Sequence, residues 1–493
     1  MSAHPALYEI NTRVWRHRFR PHSKLLAIPD AYWAQLAKVG IDIVWLMGVW
    51  KTGPNVLHYA LEPGLQDAYR RALPDWQSED IIGSPYAIDH YELQPELGQP
   101  DDLKALRERL RRHGLRLMLD FVPNHFHAES SLLAERPEIF LEVGPGLHAS
   151  DPHTFFESTE LPGRFFAHGK DPNFPAWQDT VQLNYAAPAA RAFMQEQLLA
   201  LADCCDGLRC DMAMLMQPAV FARTWGSVVG PTAGQWPPFW PDAIRQVKAR
   251  HPDFTFLAEV YWDMEWELQQ AGFDYTYDKR LLDRLLSGPA ESVANHLRAD
   301  HGFQQHSARF LENHDEERIL HLLDERRAQA AAIITYTIPG LRFFHEGQWE
   351  GLRLRLPVQL GRAMREPACS CAAGRWLPVD TLSVNLPDSS IHCACGAAFY
   401  DQLLNLLREP LFRLGQWRQF DNSGQQGLLI WHWKHKEDEA LVVVNYQDRP
   451  QQVLLPLGEG IWLEAFSRQT HDLREKPGLG LSLSPWQYAI YCR

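Results

Sequence analysis

The sequence predicts a (β/α)8 barrel with an inserted irregular subdomain after the third strand and a C-terminal antiparallel β domain. Three observations predict it. Short apolar runs alternate with segments of helical period along most of the chain, the rhythm of parallel strands covered by helices. Four of these runs end abruptly in acidic or basic residues, closing at Asp120 (and running on to His125), Asp211, Glu259 and Asp315. A buried strand with polar residues only at its carboxyl end is how such a barrel presents chemistry. From about Gly415 the long rhythm gives way to short alternating runs, as in antiparallel sheets with one wet face.

Ile41–Met47 is β-branched and aromatic and reads as a buried strand; after a long polar loop, Tyr86–Glu92 reads as the next. Asp101–His113 is helical, because Asp101 or Asp102 can cap it, Leu103, Leu106 and Leu110 share one face, and Gly114 stops it. Leu115–Phe121 follows as the third strand. The rhythm continues through a helix at Ala189–Ala202, a strand at Gly207–Asp211, a helix at Asp242–Arg250 and a strand at Phe254–Val260. It ends with Phe273–Tyr277, the strand running into Asn313, a helix near Asp324–Thr335, and Leu341–His345. Pro, Gly, His and Phe crowd the stretch from Phe126 to Tyr185 without helical period. The expected division is a barrel over 1–125 and 186–414, an insertion over 126–185, and a β-sandwich domain over 415–493.

A chain of 493 residues that is 45% hydrophobic supports one large core and a smaller domain. Its formal charge of −13 argues against nucleic acid or an anionic membrane as partner. Met1–Ile10 contains no apolar signal region, and apolar stretches such as Ile43–Met47 fall far short of a membrane span. A soluble, cytoplasmic protein is expected. Eight cysteines in this length imply no disulfide framework.

Asp211, Glu259 and Asp315 close three of the four runs, so a barrel would bring them to one mouth. Two carboxyl groups flanking a glycosidic bond are the minimum apparatus for cleaving it, one ionised and one holding a proton. Arg209 lies two residues before Asp211, on the same side of the strand, and favours its ionised form. Phe256-Leu257-Ala258 give Glu259 an apolar setting that raises its pKa. Taken singly, each acid is as readily a helix cap or a surface ion pair; the ordered set argues otherwise.

The segments Asp120-Phe121-Val122-Pro123-Asn124-His125, Gly207-Leu208-Arg209-Cys210-Asp211, Phe256-Leu257-Ala258-Glu259-Val260 and Phe310-Leu311-Glu312-Asn313-His314-Asp315 resemble the four ordered signature regions of the α-amylase superfamily, glycoside hydrolase family 13. Gln182-Leu183-Asn184-Tyr185 resembles the element closing its inserted domain, and Pro339-Gly340…Gly347-Gln348 its eighth-strand element. The likeness runs from Tyr8 to the C-terminal domain. It implies that Asp211 is the nucleophile, Glu259 the acid and then the base, and Asp315 a ligand of sugar hydroxyls that favours a distorted ring. It implies that Arg209 orients Asp211, that His125 and His314 bind the sugar, and that Tyr86 stacks beneath it. Retention of configuration follows, with the Asp211 and Glu259 carboxyl groups roughly 5–5.5 Å apart.

The chain also departs from the family pattern. Met212-Ala213-Met214-Leu215 stands where typical α-amylases carry a Lys-His pair, which weakens the case for ordinary endo-amylase action. Asn124 matches a calcium ligand, but Gln182 replaces the Asp of calcium-binding members, so no calcium is expected. Ala87 stands where exo-acting α-glucosidases tend to carry Asp. Trp262 reads equally as an acceptor-side wall or a packing residue. Arg353, Arg355, Arg362 and Arg365 could recognise an anionic group on a substrate, although pairing with the surplus acids explains them more simply. Cys369, Cys371, Cys393 and Cys395 form two Cys-x-Cys pairs that could hold a structural zinc, but zinc prefers wider spacing, and free thiols are the simpler reading.

The sequence therefore points to a cofactor-free retaining glycoside hydrolase acting on maltooligosaccharides or small α-glucosides. A transglycosylase of the same family, an α-glucanotransferase or a sucrose- or trehalose-active enzyme, is the alternative within the class. A catalytically silent barrel serving as an interaction subunit is the alternative outside it. The motifs carry no information on oligomeric state.

Overall fold

The computed structural model describes residues 3–364, 366, 396–420 and 427–493. Arg365 and the cysteines at 369, 371, 393 and 395 lie outside the described residues. Eight parallel strands close a barrel: β1 (Ala6–Asn11), β2 (Ile43–Met47), β3 (Arg116–Phe121), β4 (Gly207–Cys210), β5 (Thr255–Ala258), β6 (Tyr275–Tyr277), β7 (Ser307–Arg309) and β8 (Leu341–His345). They pair in sequence order, and β8 returns to β1. Glu9 on β1 lies level with Trp45 on β2 and His345 on β8, and Arg209 on β4 lies level with Asp120 on β3 and Leu257 on β5. Helices such as Asp102–Arg112, Pro188–Ala202, Phe239–Arg250 and Glu325–Tyr336 connect the strands.

One expected strand changes place. The stretch read as Tyr86–Glu92 forms Ile88–Leu93, which pairs antiparallel with Trp50–Thr52 outside the barrel. The barrel's first strand is instead Ala6–Asn11. The physical reason is visible in burial: every residue of β1 and β2 is buried, whereas Asp-His-Tyr-Glu inside Ile88–Leu93 leaves three positions partly or fully exposed. A strand with one wet face suits a rim hairpin, not a barrel wall. The expected helix cap also differs, because Asp102 accepts the Gln99 N–H and the Asp101 side chain makes no cap bond.

After β3, the strand His125–His127 pairs antiparallel with Thr180–Gln182, and between them lies a three-stranded sheet of Glu142–Val143, Phe155–Glu157 and Phe165–Ala167. Entry to β8 passes through Gly340 at φ +116°, where a β-carbon would meet the Ser307 carbonyl oxygen at 2.2 Å, so only glycine fits.

The C-terminal strands are β9 (Gln416–Gln419), β10 (Leu428–His435), β11 (Asp438–Asn445), β12 (Gln451–Leu455), β13 (Ile461–Glu464), β14 (Thr470–Asp472), β15 (Leu479–Leu483) and β16 (Tyr488–Cys492). Six form an antiparallel sheet in the order β9-β10-β11-β16-β13-β14, and β12 pairs with β15. Alternation along β10 and β11 splits the side chains between two cores. Trp431, Trp433, Val442 and Val444 join the barrel's core, and Leu428, Ile430, Leu441 and Val443 meet Val453, Leu455 and Leu483 of the smaller sheet. The Trp431 and Trp433 indoles both donate to the Thr337 carbonyl, at 3.0 and 2.7 Å. Among the described residues, no helix is long and apolar enough to cross a membrane.

Candidate active site

The tips of β3, β4 and β5 converge on one guanidinium. Arg209 is completely buried; its Nη1 donates to Asp211 Oδ1 at 2.7 Å and its Nη2 to Glu259 Oε2 at 2.6 Å. Asp120 Oδ1 lies 3.8 Å from Nη1, and the Tyr277 hydroxyl accepts from Nε at 3.3 Å. The rings of Tyr86 and Trp45 stand 5.0 and 5.3 Å from the guanidinium carbon. A planar cation with a fork of donors can bridge two carboxylates in fixed orientation, which a lysine cannot. Glu259 gains two further donors, the Met212 N–H at 2.8 Å and the Tyr261 hydroxyl at 2.9 Å.

The backbone just past these tips is strained. Met212 after β4, and Trp262 and Asp263 after β5, adopt φ of 40°, 67° and 62° without being glycine. Such conformations each cost about 1–3 kcal/mol and gather where side chains must be aimed. Trp262 is partly buried against the core at this turn. Residues Ala213–Met216 form a buried single turn of helix beside Asp211.

Opposite Arg209, His314 holds a second group. Its Nδ1 lies 2.5 Å from Glu9 Oε1, and its Nε2 lies 2.8 Å from the Tyr86 hydroxyl and 3.0 Å from Asp315 Oδ2. The Tyr86 and His314 rings stack with centroids 5.3 Å apart. Asp315 reaches outward with half its side chain exposed, whereas Asp211 and Glu259 are buried. His125 is buried, its Nδ1 3.2 Å from Asn124 Nδ2 and its ring against Trp177.

Burial and charge drive these groups apart. Burial pushes Glu259 up to about 7, against the pull of Arg209 and with the push of Asp211 and Asp315. Burial also raises Asp211; Arg209 opposes the rise without reversing it, so the ionising effect expected of that guanidinium is only part of the balance. Burial would raise Asp315 as well, but the His314 charge and hydrogen bond win and hold it at about 2. Burial works against a charged His314, yet Asp315 and Glu9 together lift it well above the ordinary histidine value. For His125 burial outweighs the Asp179 charge and the Tyr86 backbone hydrogen bond, pushes it down to about 4 and leaves a neutral ring at pH 7.

The structure thus brings Asp211, Glu259, Arg209, Tyr86, His314 and Asp315 into one linked cluster, and His125 joins it through a hydrogen bond to the Tyr86 backbone. Glu9, Tyr261 and Tyr277 carry no sequence expectation of a site role, and Asp120 carries one only as the end of a run and not as a site residue. Asp120 closes its apolar run as the chosen acids do. Glu9 is a lone charge in an otherwise apolar strand, which was its available signal.

Beyond His314, the one member of the cluster that lines it, a cavity of about 1250 Å³ opens among the loops after β1, β2, β7 and β8, lined by Asn11, Ile81, Arg318, His345, Glu350 and Arg355 among others. The loop arginines are largely engaged. Arg362 pairs with Asp75 and Asp80, Arg353 donates to the Leu320 carbonyl, and Arg355 donates to the Asp315 carbonyl. Where calcium-binding members would hold the ion, Gln182 Nε2 donates to Asn124 Oδ1 and to the Asn124 and Leu183 carbonyls, each at 3.0 Å. Two neutral amides that satisfy one another offer no anionic oxygen at this place. Among the described residues no cluster of three metal-ligating side chains occurs.

Comparison with known proteins places this geometry. The family model "Alpha amylase, catalytic domain" matches residues 34–356. Alpha-amylase MalA of Haloarcula japonica is 26% identical over 71% of this chain and 44% of its own length. The alpha-1,4-glucan:maltose-1-phosphate maltosyltransferase of Pseudomonas aeruginosa is 27% identical over 49% of this chain and 31% of its own. The chain thus spans less than half the length of these curated relatives. The crystal structure of the noncanonic maltogenic alpha-amylase AmyB from Thermotoga neapolitana shares the fold, with a TM-score of 0.68 at 19% identity, over 100% of this chain and 99% of that one. Barrel, linked acids and a family model matched over most of the chain agree: this chain belongs to the α-amylase family.

Proposed function

We propose that the protein is a retaining glycoside hydrolase cleaving α-glucosidic bonds in maltooligosaccharides or small α-glucosides. Asp211 attacks the anomeric carbon while Glu259, protonated near neutral pH, gives its proton to the departing glycosidic oxygen. A water that loses its proton to Glu259 then displaces Asp211, and two inversions restore the α configuration. His314 and Asp315 hold sugar hydroxyls, Tyr86 supplies a flat apolar face, and His125 binds as a neutral ring. Trp262 lies on the Glu259 side, where the leaving group would sit. The cavity beyond His314 gives the rest of the donor room.

The observation that carries this reading is the shared guanidinium. Arg209 binds a nucleophile candidate and an acid candidate on neighbouring strands, at 2.7 and 2.6 Å. Burying a guanidinium and the acids around it is expensive, and a barrel serving only as an interaction subunit would pack such a site with apolar side chains. We place the protein in the cytoplasm on its composition, its free thiols at Cys204, Cys205, Cys210 and Cys492 fitting a reducing compartment. No cofactor enters the scheme.

Transfer to a sugar acceptor is the second reading, favoured by the relatives named as maltosyltransferases and by the buried apolar turn after Asp211. Product analysis by NMR with maltotetraose, sucrose and trehalose separates the two. Asp211→Asn should keep its fold and lose turnover by a factor on the order of 10⁴ or more. Products first appearing with inverted configuration, or an active Asp211→Asn, would overturn the mechanism.

A further inference from the structure

We infer that Glu9 is a positioning residue of this site: its carboxylate fixes the His314 ring and, through it, Asp315 and Tyr86. The inference deepens the proposed function and rests on it for its kinetic readout. Glu9 is completely buried within β1, between Trp45 and His345 on the flanking strands. A carboxylate there needs a compensating cation. His314 Nδ1 is 2.5 Å from one oxygen; the nearest alternative, His345 Nε2, is 4.0 Å from the other. Burial and the adjacent Arg318, whose Nη1 is 3.0 Å from His345 Nδ1, keep the His345 ring neutral. The second Glu9 oxygen makes no hydrogen bond.

His314 is therefore caught between carboxylates at both nitrogens. A neutral ring carries one proton and would turn a lone pair toward either Glu9 or Asp315; a doubly protonated ring donates to both. Other groups acting on His314 are Tyr86 from the loop after β2, Asp120 at the end of β3 and the neutral His345 on β8, while Arg209 on β4 acts on Asp315 and Tyr277 on β6 on Glu9. The Trp45 ring lies edge to face against it, 5.6 Å away. So held, the imidazolium keeps the half-exposed Asp315 oriented at the mouth.

The test compares the unaltered protein, Glu9→Gln, His314→Gln and the double variant. A dinitrophenyl α-maltoside is the substrate, because its phenolate leaves without a proton and removes Glu259 from the first step. Glu9→Gln should lower kcat about 10- to 100-fold, as expected for loss of a charge-assisted hydrogen bond, with KM changed less. Its activity should also fall at a lower alkaline pH, by about one unit or more. The double variant should fall no further than His314→Gln alone. An unchanged alkaline limb, or losses that simply add, would overturn the inference. Should Glu9→Gln fail to fold, the ¹⁵N signals of His314 in the unaltered protein decide: a ring neutral at about pH 8 refutes the pairing, and a charged ring supports it. Absence of turnover on every α-glucoside would sink the proposed function, and the ¹⁵N result would still judge the pairing.

Discussion

Arg209 and Arg342 are both fully buried arginines in barrel strands, and they behave in opposite ways. Arg209, near the carboxyl end of β4, meets carboxylates and aromatic rings, and its charge is held far more tightly than usual. Arg342, near the start of β8, meets backbone carbonyls of His4, Tyr336, Leu407 and Phe412. Burial without a close carboxylate pulls it down to about 9. One guanidinium joins two acids on neighbouring strands; the other ties the chain's first strand to the helices that follow the barrel. The difference shows that burial alone does not decide what a buried arginine does. Its partners do.

That contrast can be broken by substitution. Arg209→Met should reduce kcat by about 10³-fold or more, because both acids lose the fork that orients them and Asp211 loses its counter-charge; near-normal kinetics would erase the distinction. Arg342→Met should leave kcat nearly unchanged and destabilise the fold by about 3 kcal/mol or more, since several buried carbonyls lose their donor. Thermal unfolding together with steady-state kinetics reads both effects.

The pH profile sharpens the picture. Glu259 must carry its proton to act as acid, and its pKa is raised to about 7. With unactivated maltooligosaccharides, kcat/KM should therefore fall as pH rises through about 7. It should fall again in acid as Asp211 takes up a proton, and Glu259→Gln should remove the alkaline limb from what activity remains. A profile flat between pH 6 and about 9 would contradict the burial of Glu259.

The smallest expected effect concerns the amide pair. Gln182→Asp should cost a degree or two of melting temperature in chelator, about 0.5–1.5 kcal/mol for the lost hydrogen bond. It should regain stability with calcium, whereas the unaltered protein should show no calcium response. Differential scanning fluorimetry in calcium and in chelator measures both.

Much of the site was legible because barrel strands announce their tips. An apolar run closing on Asp120, Asp211 or Glu259 has one geometric reading, and the spacing of Arg209 and Asp211 puts both side chains on one side of β4. Glu9 escaped because a charge in mid-strand interrupts the apolar run that identifies such strands; its partner, His314, is 305 residues away. Ile88–Leu93 misled for a related reason. Its apolar ends resemble a barrel strand, and only its polar middle betrays the wet face. Tyr261 was invisible as a site residue because its hydroxyl reaches Glu259 only through the turn after β5.

The two indoles that share the Thr337 carbonyl carry a practical lesson about modularity. The floor of the catalytic unit is finished by side chains from the last eighty or so residues, so the appended sheet is masonry and not ornament. A chain cut near residue 415 would bare the greasy surface that two tryptophans cover and strip that carbonyl of both indole donors. Protein engineers seeking a minimal catalyst from this scaffold should keep the tail.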